Sequence, residues 1–373
     1  MSNEQLQLNL PTSVPSFDPS LPYELPKLPP RVSFDDPIFT RALVQARTSL
    51  AKLEGLSVRS PNPLLLISPA ITRESVASSG IENIHTTVAE VLQADLLPEQ
   101  ERSGVDKEVI RYRDAIIWGA KELKKLPISS RLILGVFDRL MPDHGGHYRK
   151  SQNKIEHAGT RQAIYTPPTA DRLPALISNW EKFVNSEDPS IDPLIRSIVG
   201  HYQFEAIHPF NDGNGRTGRI LMVLHLLQKG LLSHPILFIS AYLLKERSTY
   251  YRTLNQITAR GAWNEFVLFM LEAFHIQAEA TISTILKIDR LHENTRDLVK
   301  KKFPKIYSGD LIDHLFKFPV TTPTKMADEL EITYQTASKH LKRLQESGLL
   351  RDRWVGTYHF FLNHRLLNIS KDE

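Results

Sequence analysis

Residues 208–219 read HPFNDGNGRTGR, and their flanks decide which folds are open to the chain. Gly213-Asn214-Gly215-Arg216-Thr217-Gly218 has the G-x-G-x-x-G spacing of a dinucleotide-binding turn. That turn needs a strand before it, a helix after it and an acid about 20 residues further on. Here the preceding RSIVGHYQFEAI puts Ile198, Val199, Tyr202 and Ile207 at helical spacing, and no acid follows Arg219 until Glu246. A doubly wound nucleotide fold is therefore excluded. What remains is a loop between two helices.

The rest of the chain supports a mainly α fold. Helical periods cover Ile38–Gly55, Ile71–Ala94 with an interruption near Gly80, and roughly 106–125, 129–141, 171–186, 191–207, 215–230, 239–258 and 262–301. Residues 1–37 hold eight prolines, which bar helix and central strand and leave an extended surface segment. SQNKIEHAGTRQAIYTPP (151–168) reads as a β-hairpin around a glycine turn, with a plain surface loop as the alternative. Gly309–Phe316, Pro323–Leu330 and Thr333–Ser347 read as three short helices, and two β-rich runs follow around Gly356. That order is the winged helix-turn-helix. The divisions expected are 1–37, extended; 38–105, helical; 106–300, catalytic core; and 301–373, winged helix.

Composition bounds the chemistry. Of 373 residues 41% are hydrophobic and 24% charged, ordinary for a soluble protein. With 46 basic against 42 acidic residues the net charge is only +4, so nucleic-acid binding would need a local patch. The absence of cysteine rules out disulfides, a thiolate nucleophile and Cys-ligated zinc. The first residues lack the pattern of a secretory signal. The apolar runs Pro235–Leu244 and Ile220–Leu227 are too short to span a bilayer. A cytoplasmic protein without a membrane partner is the expectation.

The loop carries its own chemistry. Gly213 and Gly215 permit the backbone angles at which successive N–H groups converge on an anion. The helix N-terminus that follows adds free N–H groups and a favourable dipole. Arg216 and Arg219, three apart on that helix, offer two guanidinium forks for a di- or triphosphate. Asp212 supplies one hard oxygen of the kind Mg²⁺ takes when it bridges phosphates. His208 could accept a proton from an incoming hydroxyl. The parts suit nucleotide-dependent transfer to an alcohol.

His208, Phe210, Asp212, Gly213, Asn214, Gly215, Arg216 and Arg219 match every fixed position of H-x-F-x-[D/E]-G-N-G-R-x-x-R, and the chain resembles the Fic family. The resemblance implies a helical bundle with a β-hairpin flap that transfers AMP from ATP to a Tyr, Thr or Ser hydroxyl of a protein, itself included. His208 would be the general base and Asp212 the Mg²⁺ ligand. Asn214 and the amides of Gly213 and Gly215 would hold phosphates. Arg216 and Arg219 would lie on the β/γ side, and Phe210 would anchor the loop. Ala163, Ile164 and Tyr165 of the hairpin would face nucleotide and target, pairing with the target backbone. Tyr250 and Tyr251 resemble the aromatic side of the adenine pocket.

Ser78, Glu82 and Asn83 in SSGIEN satisfy the family's inhibitory pattern [S/T]-x-x-x-E-[G/N]. By that resemblance Glu82 would form a bidentate ion pair with Arg219 and take the guanidinium from the γ-phosphate. Relatives relieve such inhibition through interfaces, so a homodimer is expected. In the C-terminal unit Gln335, Thr336 and Lys339 would meet DNA, or the unit would bind protein. Two other readings stay open: a nucleotide-sensing DNA-binding transcriptional regulator, and a Fic-type phosphotransferase.

Overall fold

The computed structural model describes residues 16–59, 64–157 and 159–369, the side chains of 59 and 64–69 excepted. Pro11 and Pro15 of the proline-rich segment lie outside the described residues. Its remainder is extended, but it does not merely cover the surface. Tyr23, Leu25 and Leu28 are buried. Leu28 exchanges hydrogen bonds with the Asn179 side chain, and the Pro26 carbonyl accepts one from Gln203 Nε2.

Helix α1 (Pro37–Arg59) follows, then α2 (Leu64–Ile81), α3 (Val88–Ala94), α4 (Gly104–Glu122) and α5 (Ser130–Leu140). A hairpin, β1 (Ile155–Glu156) with β2 (Ala163–Tyr165), leads to α6 (Leu173–Asn185), α7 (Pro193–Ile207) and α8 (Asn214–Gln228). Next come α9 (Ser240–Lys245), α10 (Arg247–Arg260) and the long α11 (Trp263–Lys302). The C-terminal unit is α12 (Gly309–Lys317), β3 (Val320–Thr321), α13 (Pro323–Leu330), α14 (Tyr334–Glu346), β4 (Arg351–Val355), β5 (Tyr358–Leu362) and α15 (His364–Ile369). Its antiparallel sheet has the order β3-β5-β4, so the unit has the element order of a winged helix.

Local chemistry sets these boundaries. The Thr87 hydroxyl accepts from Glu90 N while Glu90 reaches back to Thr87 N, a capping box that starts α3. Asp192 caps α7 and Pro193 takes its first turn. Nearly every residue of α7 and α8 is buried, on all sides of both helices. They therefore form the centre of the bundle, not an amphipathic wall. Around them α1 packs along α11, α4 along α5, and α2 against α4 and α9.

Three helix boundaries depart from expectation. Helix α1 runs through Gly55 to Arg59, with Leu53 and Ser57 buried. Helix α2 runs through Gly80, and the break comes at Asn83, which adopts a left-handed φ of 64°. The segment read as one helix at 239–258 is two, α9 and α10, divided at Glu246.

Candidate active site

The loop between α7 and α8 is held open from within. His208, at φ 50° and ψ 59°, ends α7 in the left-handed region, with its N–H on Phe204 O. Gly213, at φ 76°, starts α8, where a side chain would be strained. Phe210 is fully buried and stacked on Phe137, ring centroids 3.6 Å apart. Asn214 braces the loop as well: its Oδ1 accepts from Phe210 N at 2.8 Å and its Nδ2 donates to Phe210 O at 2.9 Å. The Asn214 side chain is thus engaged within the loop. The backbone remains, because the first amides of α8 have no intrahelical acceptor.

The His208 ring is anchored through one of its nitrogens. Its Nδ1 lies 3.2 Å from Glu205 O; facing a carbonyl, that nitrogen carries the proton and leaves Nε2 with its lone pair. Burial pushes the ring down to about 4, against the pull of that carbonyl, so it is neutral near pH 7. Asp212 is 62% exposed at the mouth, and its Oδ1 accepts from Gly213 N. One exposed carboxylate fits Mg²⁺, which draws most of its shell from water and phosphate. Among the described residues no cluster of three or more metal-ligating side chains exists.

The two arginines are already engaged. Arg216 is 3% exposed, paired with Glu108 of α4 and 3.5 Å from Asp212. Arg219 is 1% exposed: Nε donates to Ser78 Oγ at 2.7 Å, and Nη2 to Ser78 O at 3.0 Å and Glu82 Oε1 at 2.8 Å. The expected bidentate pair with Glu82 is thus a single contact, and the two-point grip comes from Ser78. Asn83 meets Arg247 Nη1 through Oδ1 at 2.7 Å. Glu82 also stands over the loop, since a Cβ on Gly215 would lie 2.6 Å from Glu82 Oε1.

The surrounding expectations fare unevenly. Ala163 and Ile164 are half-buried on the hairpin. Tyr165 is buried, its hydroxyl donating to Ala206 O at 2.7 Å and its ring packed with Phe17 and Tyr23. It points into the body rather than toward a target. Tyr250 is likewise buried and bonded to His201 Nε2, so only Tyr251, 38% exposed, is available to a base. Gln335 and Lys339 are exposed on α14, while Thr336 shares the helix cap with Thr333.

Four residues were missed. Arg149, 3% exposed, donates from Nε to His208 O at 2.9 Å and from its two Nη atoms to Ser151 O and Pro168 O, tying the hairpin ends to the base. Glu108 covers Arg216. Glu74 is fully buried, bonded to Tyr112 and Ser240, and burial raises it to about 7. Glu205 lies against Gly218, where a Cβ would stand 2.2 Å from its Oε1, and burial raises its carboxyl to about 8. Glu108, Glu74 and Glu205 sit on helices and Arg149 in the irregular segment before β1, and the local sequence carries no signal of what each of them meets.

A central pair of buried helices joined by a glycine-containing loop that opens on a helix N-terminus, with a hairpin at one side, defines a Fic-type fold. Residues 40–121 match the Fic/DOC family N-terminal domain and 127–226 the Fic/DOC family domain, and the chain belongs to that family. Residues 291–366 match the C-terminal domain of SoFic-like protein adenylyltransferases. Protein adenylyltransferase Fic of Nematostella vectensis is 27% identical over 232 residues, 62% of this chain and 51% of the relative. Its namesake in Drosophila virilis is 30% identical over 204 residues, 52% of this chain and 39% of the relative. The chain thus spans about half, or less, of the length of these relatives. A Fic family protein from Desulfovibrio desulfuricans G20 shares the fold, with a TM-score of 0.54 at 21% identity over 86% of this chain and 95% of that one.

Proposed function

We infer that the protein is an adenylyltransferase, moving AMP from ATP to a hydroxyl of a protein, and that Ser78 and Glu82 hold it inhibited. The observation that carries this reading is His208, its Nδ1 facing the Glu205 carbonyl, at the head of a loop leading into α8, whose Arg219 α2 already engages. A domain that only senses nucleotide needs anion ligands but no base.

The triphosphate would lie on the first amides of α8, with the adenine against Tyr251. His208 Nε2 takes the proton of the target hydroxyl as its oxygen attacks the α-phosphorus. The bond from that phosphorus to the β-bridging oxygen breaks, and diphosphate leaves. Arg219 and Arg216, once turned from Glu82 and Glu108, would hold the β- and γ-phosphates in line. When bound through Asp212, Mg²⁺ would neutralise charge on the phosphates. While Glu82 occupies Arg219, the γ-phosphate has no partner there, and misplacement of about 1 Å costs about two orders of magnitude in rate.

Intact-mass and peptide mass spectrometry after incubation with ATP and Mg²⁺ tests this reading. AMP on a Tyr, Thr or Ser of the Glu82→Gly chain supports it. A phosphate adduct instead means that the nucleotide binds reversed and the reaction is phosphorylation.

A further inference from the structure

Beside the Ser78–Glu82 stripe of α2 the fold leaves a cavity of about 590 Å³, within the range of about 300–1,000 Å³ usual for small-molecule sites. Its walls are α2 from Ala70 to Ala77, the segment 236–245, and the middle of α11. Val76, Phe238, Leu244, Ile276 and Ile285 make the lining mostly apolar. Its charged groups are Arg73, Lys245 and Glu74. Glu74 is buried and already bonded to Tyr112 and Ser240, and the charge at the rim that a ligand can meet is that of Lys245. Lys245 is exposed, where it can meet an anion in water.

Two contacts join this cavity to the arginine lock. Leu244 lies against Gly80, where a Cβ would stand 3.1 Å from Leu244 Cδ2. Glu74 is one helical turn before Ser78 and two before Glu82 on one stripe, and it ties α2 to α9 through Ser240. A molecule seated between α2 and α9 would bear on both contacts. We propose that the cavity binds an amphipathic anion, an apolar chain ending in one carboxylate, and that its occupancy shifts α2 so that Arg219 is released. The site stands on the cavity alone; its effect on transfer rests on the inhibited-enzyme reading above.

The test uses the full chain, with decanoate below its micelle concentration as the probe and decanol as its neutral counterpart. Calorimetric titration of wild type gives saturable binding of one decanoate. Ala280→Phe, which fills the cavity from α11, abolishes it. Lys245→Glu, a change at the exposed rim, weakens decanoate about fivefold and leaves decanol unaffected. Decanoate also raises AMP transfer by wild type but not by Ala280→Phe. No saturable binding, or binding unchanged in both variants, overturns the site. Binding without a rise in transfer, where Glu82→Gly does show the rise, overturns the coupling to α2. If Glu82→Gly is itself silent, the inhibited-enzyme reading fails while the titrations still decide the site. A dimer that Ile276→Asp dissociates, with no decanoate bound, overturns the ligand in favour of a second copy on that face.

Discussion

Replacing Ser78 by alanine separates the two halves of the grip on Arg219. Of the three contacts, Ser78→Ala removes the one from Nε to Oγ at 2.7 Å and leaves those to Ser78 O and Glu82. A hydrogen bond to a charged group contributes about 1.5–3 kcal/mol, more when its loss strands a buried donor. Arg219 is buried, so Nε finds no water in the locked state. In the released state it would turn to phosphate, and Ser78 can bond a carbonyl of its own helix. The difference falls on the locked state, and about 1.4 kcal/mol is tenfold. Ser78→Ala should therefore raise the rate of AMP incorporation about 10- to 100-fold at subsaturating ATP. Alanine favours helix over serine, so circular dichroism and thermal melting should show an intact fold. In a Glu82→Gly background, where the lock is already open, the same change should add little. An unchanged rate in Ser78→Ala, with Glu82→Gly active, would mean that Glu82 alone inhibits and that the Ser78 contacts are incidental.

Other consequences follow from the same geometry. In the Glu82→Gly chain the rate should stay level from pH ~8 to ~5 and fall only as pH drops through the His208 value of about 4, because protonation fills Nε2. An acid limb near the ordinary imidazole range would show that the base is solvated. Phe210→Ala should cost about 3–5 kcal/mol in chemical denaturation and abolish ATP binding, since it removes the stack on Phe137; retained ATP affinity would contradict its anchoring role. Burial raises Glu205 to about 8, so it is protonated when folded and ionised when unfolded between its ordinary range and that value. Its contribution to stability is present below the ordinary carboxylate range and lost as pH rises through that window. Glu205→Gln should therefore raise the melting temperature at pH ~8 and leave it near wild type at pH ~4; an equal effect at both would refute a neutral Glu205.

The catalytic loop was legible because its chemistry is local. Gly213 takes a left-handed angle and Phe210 inserts within one turn of the chain, so neighbours in sequence define the loop. Helix positions were legible for the same reason, as each carries its own period. The failures came where distant parts decide. Gly55 and Gly80 read as breaks, yet both lie inside helices: Leu53 and Ser57 are buried on either side of Gly55, and Gly80 packs against Leu244. Tyr165 read as target-facing because strand alternation does not say which face is covered. Phe17 and Tyr23, about 140 residues earlier, cover it. That the Asn214 amide meets both backbone atoms of Phe210 could not be read from the motif. Glu108 and Arg149 stayed hidden because their partners lie on other elements.

One measurement bears most directly on the reading of His208 and α2. ATP labelled on the α-phosphate is compared with ATP labelled on the γ-phosphate, with Mg²⁺, in wild type, Glu82→Gly, and Glu82→Gly with His208→Ala. The α-label alone should enter protein, weakly in wild type and strongly in Glu82→Gly, and it should vanish without His208. Transfer of γ-label, or α-label that persists after His208 is removed, would contradict the base and the reaction assigned to it.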